Sequence, residues 1–392
     1  MKSSAMLSYF LCGLVITTIG AVLPSIQAHY SLTYTNGGQL VFAGSAGFLL
    51  GVPLSALLLR RLHEKRVLTA AALLIGLSQL GMLTLPPFGW LIALNFVNSI
   101  GAAAIETVVA TLMMEVFVRR RAVVMSHLEV AFGLGGLAMP LFASLLIANG
   151  VWRYSFLLTG ILALLLALLW HRIAYSREGA DHTGAGDAAS PPPAGLTRRT
   201  KTVFVLLFSL LIFVYAGMEG SLNNFLPSLF LELMPLSPAS ASLSVGVFWS
   251  AMVLGRLVTG WIIRKVPYGA FLMGSMAGAL AGLALLTLAG RPAVGYLLVV
   301  LLGLMMSGVY SITMVYANHT FPGLARFITS LITAVAGIGG AVSPALVGYL
   351  MDQTGPQSAI WLLVGFAAVF LAVLLLVFRL YRATTARQTA NG

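Results

Sequence analysis

Residues 176–200 read SREGADHTGAGDAASPPPAGLTRRT, and nothing else in the chain resembles them. The segment is polar, rich in Gly, Ala and Pro, and holds three consecutive prolines at 191–193, a composition that favours a flexible connection over a packed element. Its flanks are the reverse. Across the 392 residues, 59% are hydrophobic and 8% charged, with a mean hydropathy of +0.98. A soluble domain carries about 25% charge, so this chain has too few polar groups to cover its own surface in water. It belongs in lipid. A helix needs about 20 apolar residues to cross the hydrocarbon. Hydropathy places such runs near 5–28, 38–60, 67–86, 90–116, 123–148 and 154–175 before the polar segment, and near 202–227, 240–264, 268–289, 294–317, 326–351 and 357–381 after it. The spans fill the chain, so no soluble catalytic domain fits and no enzyme is expected. The first run is as long as a true span and is not read as a cleaved signal. The single Cys12 excludes a disulfide within the chain and a Cys-based metal site.

The formal charge of +12 would suggest nucleic acid in a soluble protein. Here it is topology. Of 22 basic residues, nineteen fall in loops and ends on one side of the twelve spans, among them Lys2, Arg60, Arg61, Lys65, Arg66, Arg119, Arg120, Arg121, Arg264, Lys265 and Arg382. Only Arg153 and Arg291 fall on the other side, and Arg256 lies inside a span. Positive charge collects on the cytoplasmic side, so both termini are expected in the cytoplasm of a multi-pass cell-membrane protein. Nucleic acid is not expected as a partner.

The two sides of the polar segment repeat each other. At an offset of 204 residues, Gly51 with Arg60-Arg61 matches Gly255 with Arg264-Lys265, Gly135-Gly136 and Pro140 match Gly339-Gly340 and Pro344, and Phe117 matches Phe321. An offset of 203 aligns Leu23-Pro24-Ser25 with Leu226-Pro227-Ser228. Six spans per half leave both halves the same way up, as parallel repeats about an axis along the membrane normal. The expected fold is an all-α membrane protein of twelve transmembrane helices in two six-helix bundles related by a pseudo-two-fold. Its expected domains are 1–175, a cytoplasmic linker 176–201, and 202–392.

Charges in hydrocarbon cost several kcal/mol, so those inside the spans are functional candidates. Glu106 lies near the middle of the fourth span, in NSIGAAAIETVVATLMMEVF, and Asn95, eleven residues earlier, shares its face. Hydrocarbon penalises a charged carboxylate, so a group at that depth is able to take and release a proton; the alternative is a permanently neutral acid bonding two helices. In the seventh span Tyr215, Glu219 and Asn223 recur at i, i+4 and i+8 with Asn224 beside them. Gly217, Gly220 and Pro227 weaken that helix, so the stripe is expected to line a cavity through a broken or kinked segment; polar glue between helices is the other reading. Glu129 in the fifth span and Arg256 in the eighth lie about two turns inside the cytoplasmic end. They are expected to pair and to close that side when the protein faces outward, unless Arg119–Arg121 neutralise Glu129. Trp249 and Phe248 either stack on a sugar or fill the core. Tyr310 of the tenth span joins Tyr215, Glu219, Asn223, Asn224, Asn95 and Trp249 as candidate substrate-binding residues, and Glu106 and Glu129 are the proton-coupling candidates. His127 and His319 read as surface groups. The glycine runs FGLGG at 132–136 and AGIGG at 336–340 read as close-packing or bending points. There is no phosphate-binding Gly-Lys-Ser/Thr loop, no metal-spaced His/Asp/Glu cluster and no Ser-His-Asp set.

Two six-helix bundles joined by a cytoplasmic linker resemble the major facilitator superfamily over essentially the whole chain. The signature loop of that family is degenerate in GVPLSALLLRRLHEKR at 51–66, which keeps the basic tail and lacks the acidic residue; GRLVTGWIIRKV at 255–266 is closer. Three stretches are similar to the glucose/mannose:proton symporters of the fucose permease branch: ETVVATLMMEVF at 106–117 with MSHLEVAFGLGGLAMPL at 125–141, YAGMEGSLNNFLPSLF at 215–230, and FWSAMVLGRLVTGW at 248–261. The resemblance implies a sugar site between the halves and a proton-coupling glutamate in the fourth helix, here Glu106. The first span carries no acidic residue, and Gly133 stands where the branch has a functional Asn. The expectation is a monomeric secondary transporter working by alternating access, carrying a sugar such as glucose or mannose with protons and using no cofactor. The alternatives are a proton-driven drug or metabolite exporter and a non-transporting sensor.

Overall fold

Hydrocarbon offers no hydrogen-bond partner to a backbone, so each span has to satisfy its own N–H and C=O groups, and a helix does so within one segment. The computed structural model describes residues 2–117, 121–172, 198–320 and 325–390. These form thirteen helices: α1 (Lys2–Tyr30), α2 (Tyr34–Leu59), α3 (Glu64–Leu83), α4 (Phe88–Val116), α5 (Arg121–Ala148), α6 (Tyr154–Arg172), α7 (Arg198–Leu233), α8 (Pro238–Ile262), α9 (Tyr268–Leu286), α10 (Pro292–Met306), α11 (Val309–Thr320), α12 (Ala325–Thr354) and α13 (Pro356–Ala390). Helices α10 and α11 are two pieces of one span, Pro292–Thr320, which gives twelve candidate spans among the described residues. Most of the linker reading falls outside the described residues, which resume at Arg198.

Prolines 24, 53, 140, 227 and 344 all sit within helices. α7 runs unbroken from Arg198 to Leu233 with Pro227 inside it, so the polar stripe lies on a continuous helix and not across a broken one. The interruption falls in the tenth span instead, at Ser307 and Gly308. The Ser307 hydroxyl donates back to the Leu304 carbonyl at 2.8 Å, a local bond that competes with helix continuation.

Helices α1–α6 pack as one bundle and α7–α13 as the other, and the same glycine contacts build both. Lipid tails are as apolar as leucine, so helices associate through close van der Waals fit, for which glycine gives the least separation. A Cβ added at Gly135 would stand 2.1 Å from the Phe10 carbonyl oxygen; at Gly339, 204 residues on, it would stand 2.3 Å from that of Phe213. Gly51 lies against Ile100 and Ala103, while Gly255 lies against Leu304 and Ser307. Every partner is shifted by 203 or 204 residues, so the repeat visible in the sequence is a repeat of packing contacts.

The halves meet along two antiparallel seams, α5 on α8 and α2 on α12, with α1 crossing onto α7. On the first seam Gly133 abuts Val253 and Gly136 lies under the Trp249 ring; on the second Gly337 abuts Leu49, and the Ser45 hydroxyl donates to the Gly340 carbonyl at 3.3 Å. These pairs are again related by 204. The seams continue to the face opposite the basic loops, through Gly246 on Pro140, Gly38 on Ala345 and Gly348 on Tyr34. Toward the basic face α4 packs on α1, α2, α3 and α5, and α11 packs on α7, α9, α10 and α12, each within its own half. The halves are thus sealed at the far face and splayed at the basic one.

Gly135→Ala and Gly339→Ala press a methyl onto backbone that has nowhere to go, and each is expected to cost about 1–3 kcal/mol by overpacking. Gly274→Ala, with open space around the new atom, is expected to stay within about 0.5 kcal/mol of the parent. Melting of the purified protein in detergent checks both; equal melting temperatures for all three variants would contradict the seam account.

Candidate functional site

Four helices bring charge to the level where the seams end. Glu106 comes from α4, Glu129 from α5, Glu219 from α7 and Arg256 from α8. Arg256 Nη1 lies 3.6 Å from Glu129 Oε2. Glu106 is within electrostatic reach of Glu129, and Glu219 is within reach of both Arg256 and Glu129. Glu129 and Glu219, one from each half, therefore share one guanidinium, and Glu106 lies within reach of Glu129. Among the described residues, no three His, Cys, Asp or Glu side chains come close enough to hold a metal ion.

The expected gate is corrected in one respect. Glu129 and Arg256 meet while the far face is sealed, so their contact is not confined to an outward-facing state. The reason is position: Gly133 and Val253, one turn further along the same seam, are in contact, and charges one turn from a close contact stay close when the halves splay below them. The side chains are also 54% and 32% exposed, which makes this a solvated pair worth at most about 1 kcal/mol, not a buried bridge.

Aromatic groups ring the acids. Tyr310 on α11 is within electrostatic reach of Glu219, Glu129 and Glu106, and its hydroxyl stands 3.5 Å from that of Thr333. The Tyr215 and Tyr310 rings lie 6.4 Å apart. Tyr215 itself is buried, and its hydroxyl donates to the Met306 carbonyl at 3.0 Å. Met306 ends α10, where carbonyls lose their intrahelical partners, so Tyr215 supports the interruption of the tenth span. Trp249 is 5% exposed, with its indole N–H on Asn223 Oδ1 at 2.8 Å, Phe132 edge-on at 5.8 Å and the Arg256 guanidinium 5.9 Å from its ring. Asn223 in turn donates to the Ile16 carbonyl of the other half at 3.2 Å. Trp249 and Asn223 thus form the roof of the site beneath the sealed face.

One sequence candidate stands elsewhere. Asn95 is 4% exposed and donates to the Leu40 carbonyl at 2.9 Å, so its amide joins α4 to α2 and is not part of the acidic cluster. Asn224 donates to the Gly220 carbonyl of its own helix at 2.8 Å. Phe248 is fully buried. One group was missed: Tyr9 of α1 donates to the Glu106 backbone carbonyl at 3.1 Å and is within electrostatic reach of Glu106 and Glu129. A lone tyrosine near the start of the first span carries no periodicity that would mark it.

With this geometry in place, three comparisons with known proteins are informative. The model of the family described as Major Facilitator Superfamily matches residues 5–344. The chain is 26% identical over 352 residues to the glucose/mannose transporter GlcP of Bacillus subtilis (strain 168), covering 88% of this chain and 86% of that one. It is 24% identical over 366 residues to the cis,cis-muconate transport protein of Acinetobacter baylyi, at the same coverage. Among solved structures, a bacterial homologue of the human lysosomal transporter Spinster, inward-facing and occupied, superposes with a TM-score of 0.78 at 14% identity over 98% of this chain and 97% of that one. The xylose transporter XylE from E. coli, in a partially occluded inward-open conformation, gives 0.73 at 15% identity over 97% and 98%.

Tyr215→Phe removes the donor from the Met306 carbonyl and leaves it unpaired, at an expected cost of about 1–3 kcal/mol. Hydrogen exchange should quicken at residues 306–312 and stay unchanged in α3 and α6; protection equal to the parent at 306–312 would show that the phenol does not support the break.

Proposed function

We infer a function for a chain that belongs to the major facilitator superfamily, and is therefore a membrane transporter of small molecules and not an enzyme: proton-coupled uptake of a hexose, glucose or mannose, by alternating access. One observation carries the reading. Glu129 and Glu219, from opposite halves, lie within reach of the single Arg256, and Glu106 lies within reach of Glu129, so three acids gather around one cation between the halves.

The chemistry follows from the charge balance. With all three acids ionised the cluster would hold two uncompensated negative charges beside one another, which repel unless a proton is taken up. Glu129 sits against Arg256, so Glu106 and Glu219 are the carriers of that excess. Glu106 is only partly buried, and its helix lies along the opening between the halves. A sugar presents neutral hydroxyls that both donate and accept. Carboxyl and phenol groups match them, and Trp249 above the site supplies an apolar ring. An anionic substrate such as muconate would meet acids outnumbering their one Arg, which opposes that reading. The likeness to GlcP supports the hexose.

In the cycle, protonation of Glu106 from the outer side removes the repulsion and favours sugar binding. Closure of the far face carries both to the cytoplasmic side, where the splayed basic face lets sugar and proton leave. One chain supplies both halves of the site, so a monomer suffices, the proton is the coupling ion and no cofactor is needed. The basic face is the cytoplasmic face, and the membrane is the cell membrane.

In proteoliposomes, radiolabelled glucose or mannose should accumulate only with an inward proton gradient. Glu106→Gln, fixed in its neutral form, should lose accumulation by at least tenfold and keep gradient-independent exchange of internal for external sugar. Accumulation by the Gln variant equal to the parent, or transport of lipophilic cations in place of hexose, would sink the proposal.

A further inference from the structure

At the sealed far face the second half finishes the first turn of α2. The first donors of a helix lack intrahelical partners and need side chains or water. At α2, Thr33 takes the Asn36 N–H and Asn36 takes the Thr33 N–H, a capping box within the chain segment itself. The next two donors go to the other half. Asp352 at the end of α12 accepts the Tyr34 N–H on Oδ1 at 2.9 Å and the Thr35 N–H on Oδ2 at 2.6 Å, with the Thr35 hydroxyl on the same oxygen. Glu232 at the end of α7 accepts the Tyr34 hydroxyl. An anion against a helix N-terminus also meets the positive end of the helix dipole.

The internal repeat shows that the fold does not require this. Tyr34, Asp352 and Glu232 correspond, 204 residues away, to Pro238, Ala148 and Ala28. The matching seam of α5 on α8 closes with no acid at either place, because α8 starts with a proline that has no N–H to satisfy and is capped by its own Ser237. Asp352 and Glu232 are both exposed residues, so they hold no core together. What they hold is one half against the other, in the one seam whose helix start has donors to spare.

We propose that Asp352, as a cap supplied across the two halves to the N-terminus of α2, is a latch that sets the population of the form closed at the far face. When the halves part there, the Tyr34 and Thr35 N–H groups and the carboxylate must go back to water, so the latch biases the resting equilibrium toward closure. The inference rests on the alternating-access part of the proposed function and not on its substrate.

The test needs neither sugar nor a proton gradient, so it can fail independently of the transport reading. Spin labels on cysteines introduced by Asn149→Cys and Leu288→Cys, exposed far-face positions in opposite halves, report the separation of the halves in nanodiscs; the native Cys12 is buried. In Asp352→Asn the ratio of far-face-open to closed distances should rise about tenfold, a shift of about 1.4 kcal/mol. Tyr34→Pro copies the start of α8, tolerates the helix position and deletes one donor with the phenol, and should shift the ratio the same way. An unchanged distance distribution in Asp352→Asn, whether or not Tyr34→Pro moves it, overturns the latch.

Discussion

Backbone packed on backbone at glycine is the constraint on which the rest of this structure depends. In lipid there is no hydrophobic gain from putting two apolar helices together, so association comes from close fit. The chain meets this with one set of contacts used twice: Phe10 on Gly135 and Phe213 on Gly339 inside the halves, Val253 on Gly133 and Leu49 on Gly337 between them. Two seams built from equivalent parts end at the same depth, and that depth is where the halves separate. Glu129 and Arg256 meet one turn beyond the close contact of Gly133 with Val253.

The site is assembled from groups that would be costly singly. The first half contributes Glu106 and Glu129 with no cation of the cluster, and the second contributes Glu219 with Arg256, so the cation that meets Glu129 comes from across the interface. In the proposed cycle, moving one bundle against the other changes the field at each carboxyl, and a proton taken up at one of them changes how readily the bundles approach. The interrupted tenth span belongs to the same arrangement. It places Tyr310 at the head of a short separate helix, within electrostatic reach of all three acids, with Tyr215 bound to the carbonyl at the end of the preceding piece.

Much of this was legible in the chain. The twelve spans followed from apolar run length and the two halves from the 204-residue repeat, because both depend on local composition or on identity at a fixed spacing. The acids of the site stood out because carboxylates in apolar runs are few. What escaped depends on partners far along the chain. Asn95 shares a face with Glu106, yet its amide serves Leu40, 55 residues away. Gly217, Gly220 and Pro227 pointed to a weakened or bent α7, yet that helix is continuous, and the interruption is at Ser307-Gly308, which no proline or charge marks in the sequence. Asp352 follows the apolar run 326–351 and carries no motif of its own; only α2, 317 residues earlier, gives it a role.

The central claim is that sugar and proton share one cycle through the cluster around Glu106. Its most direct test is the current recorded from proteoliposomes on a solid-supported membrane when glucose is rapidly applied at equal pH on both sides. The account predicts an inward positive transient that grows with sugar concentration, shrinks as the pH is raised above neutrality, and is absent in Glu106→Gln. Saturable glucose binding with no charge movement in the parent protein would contradict it.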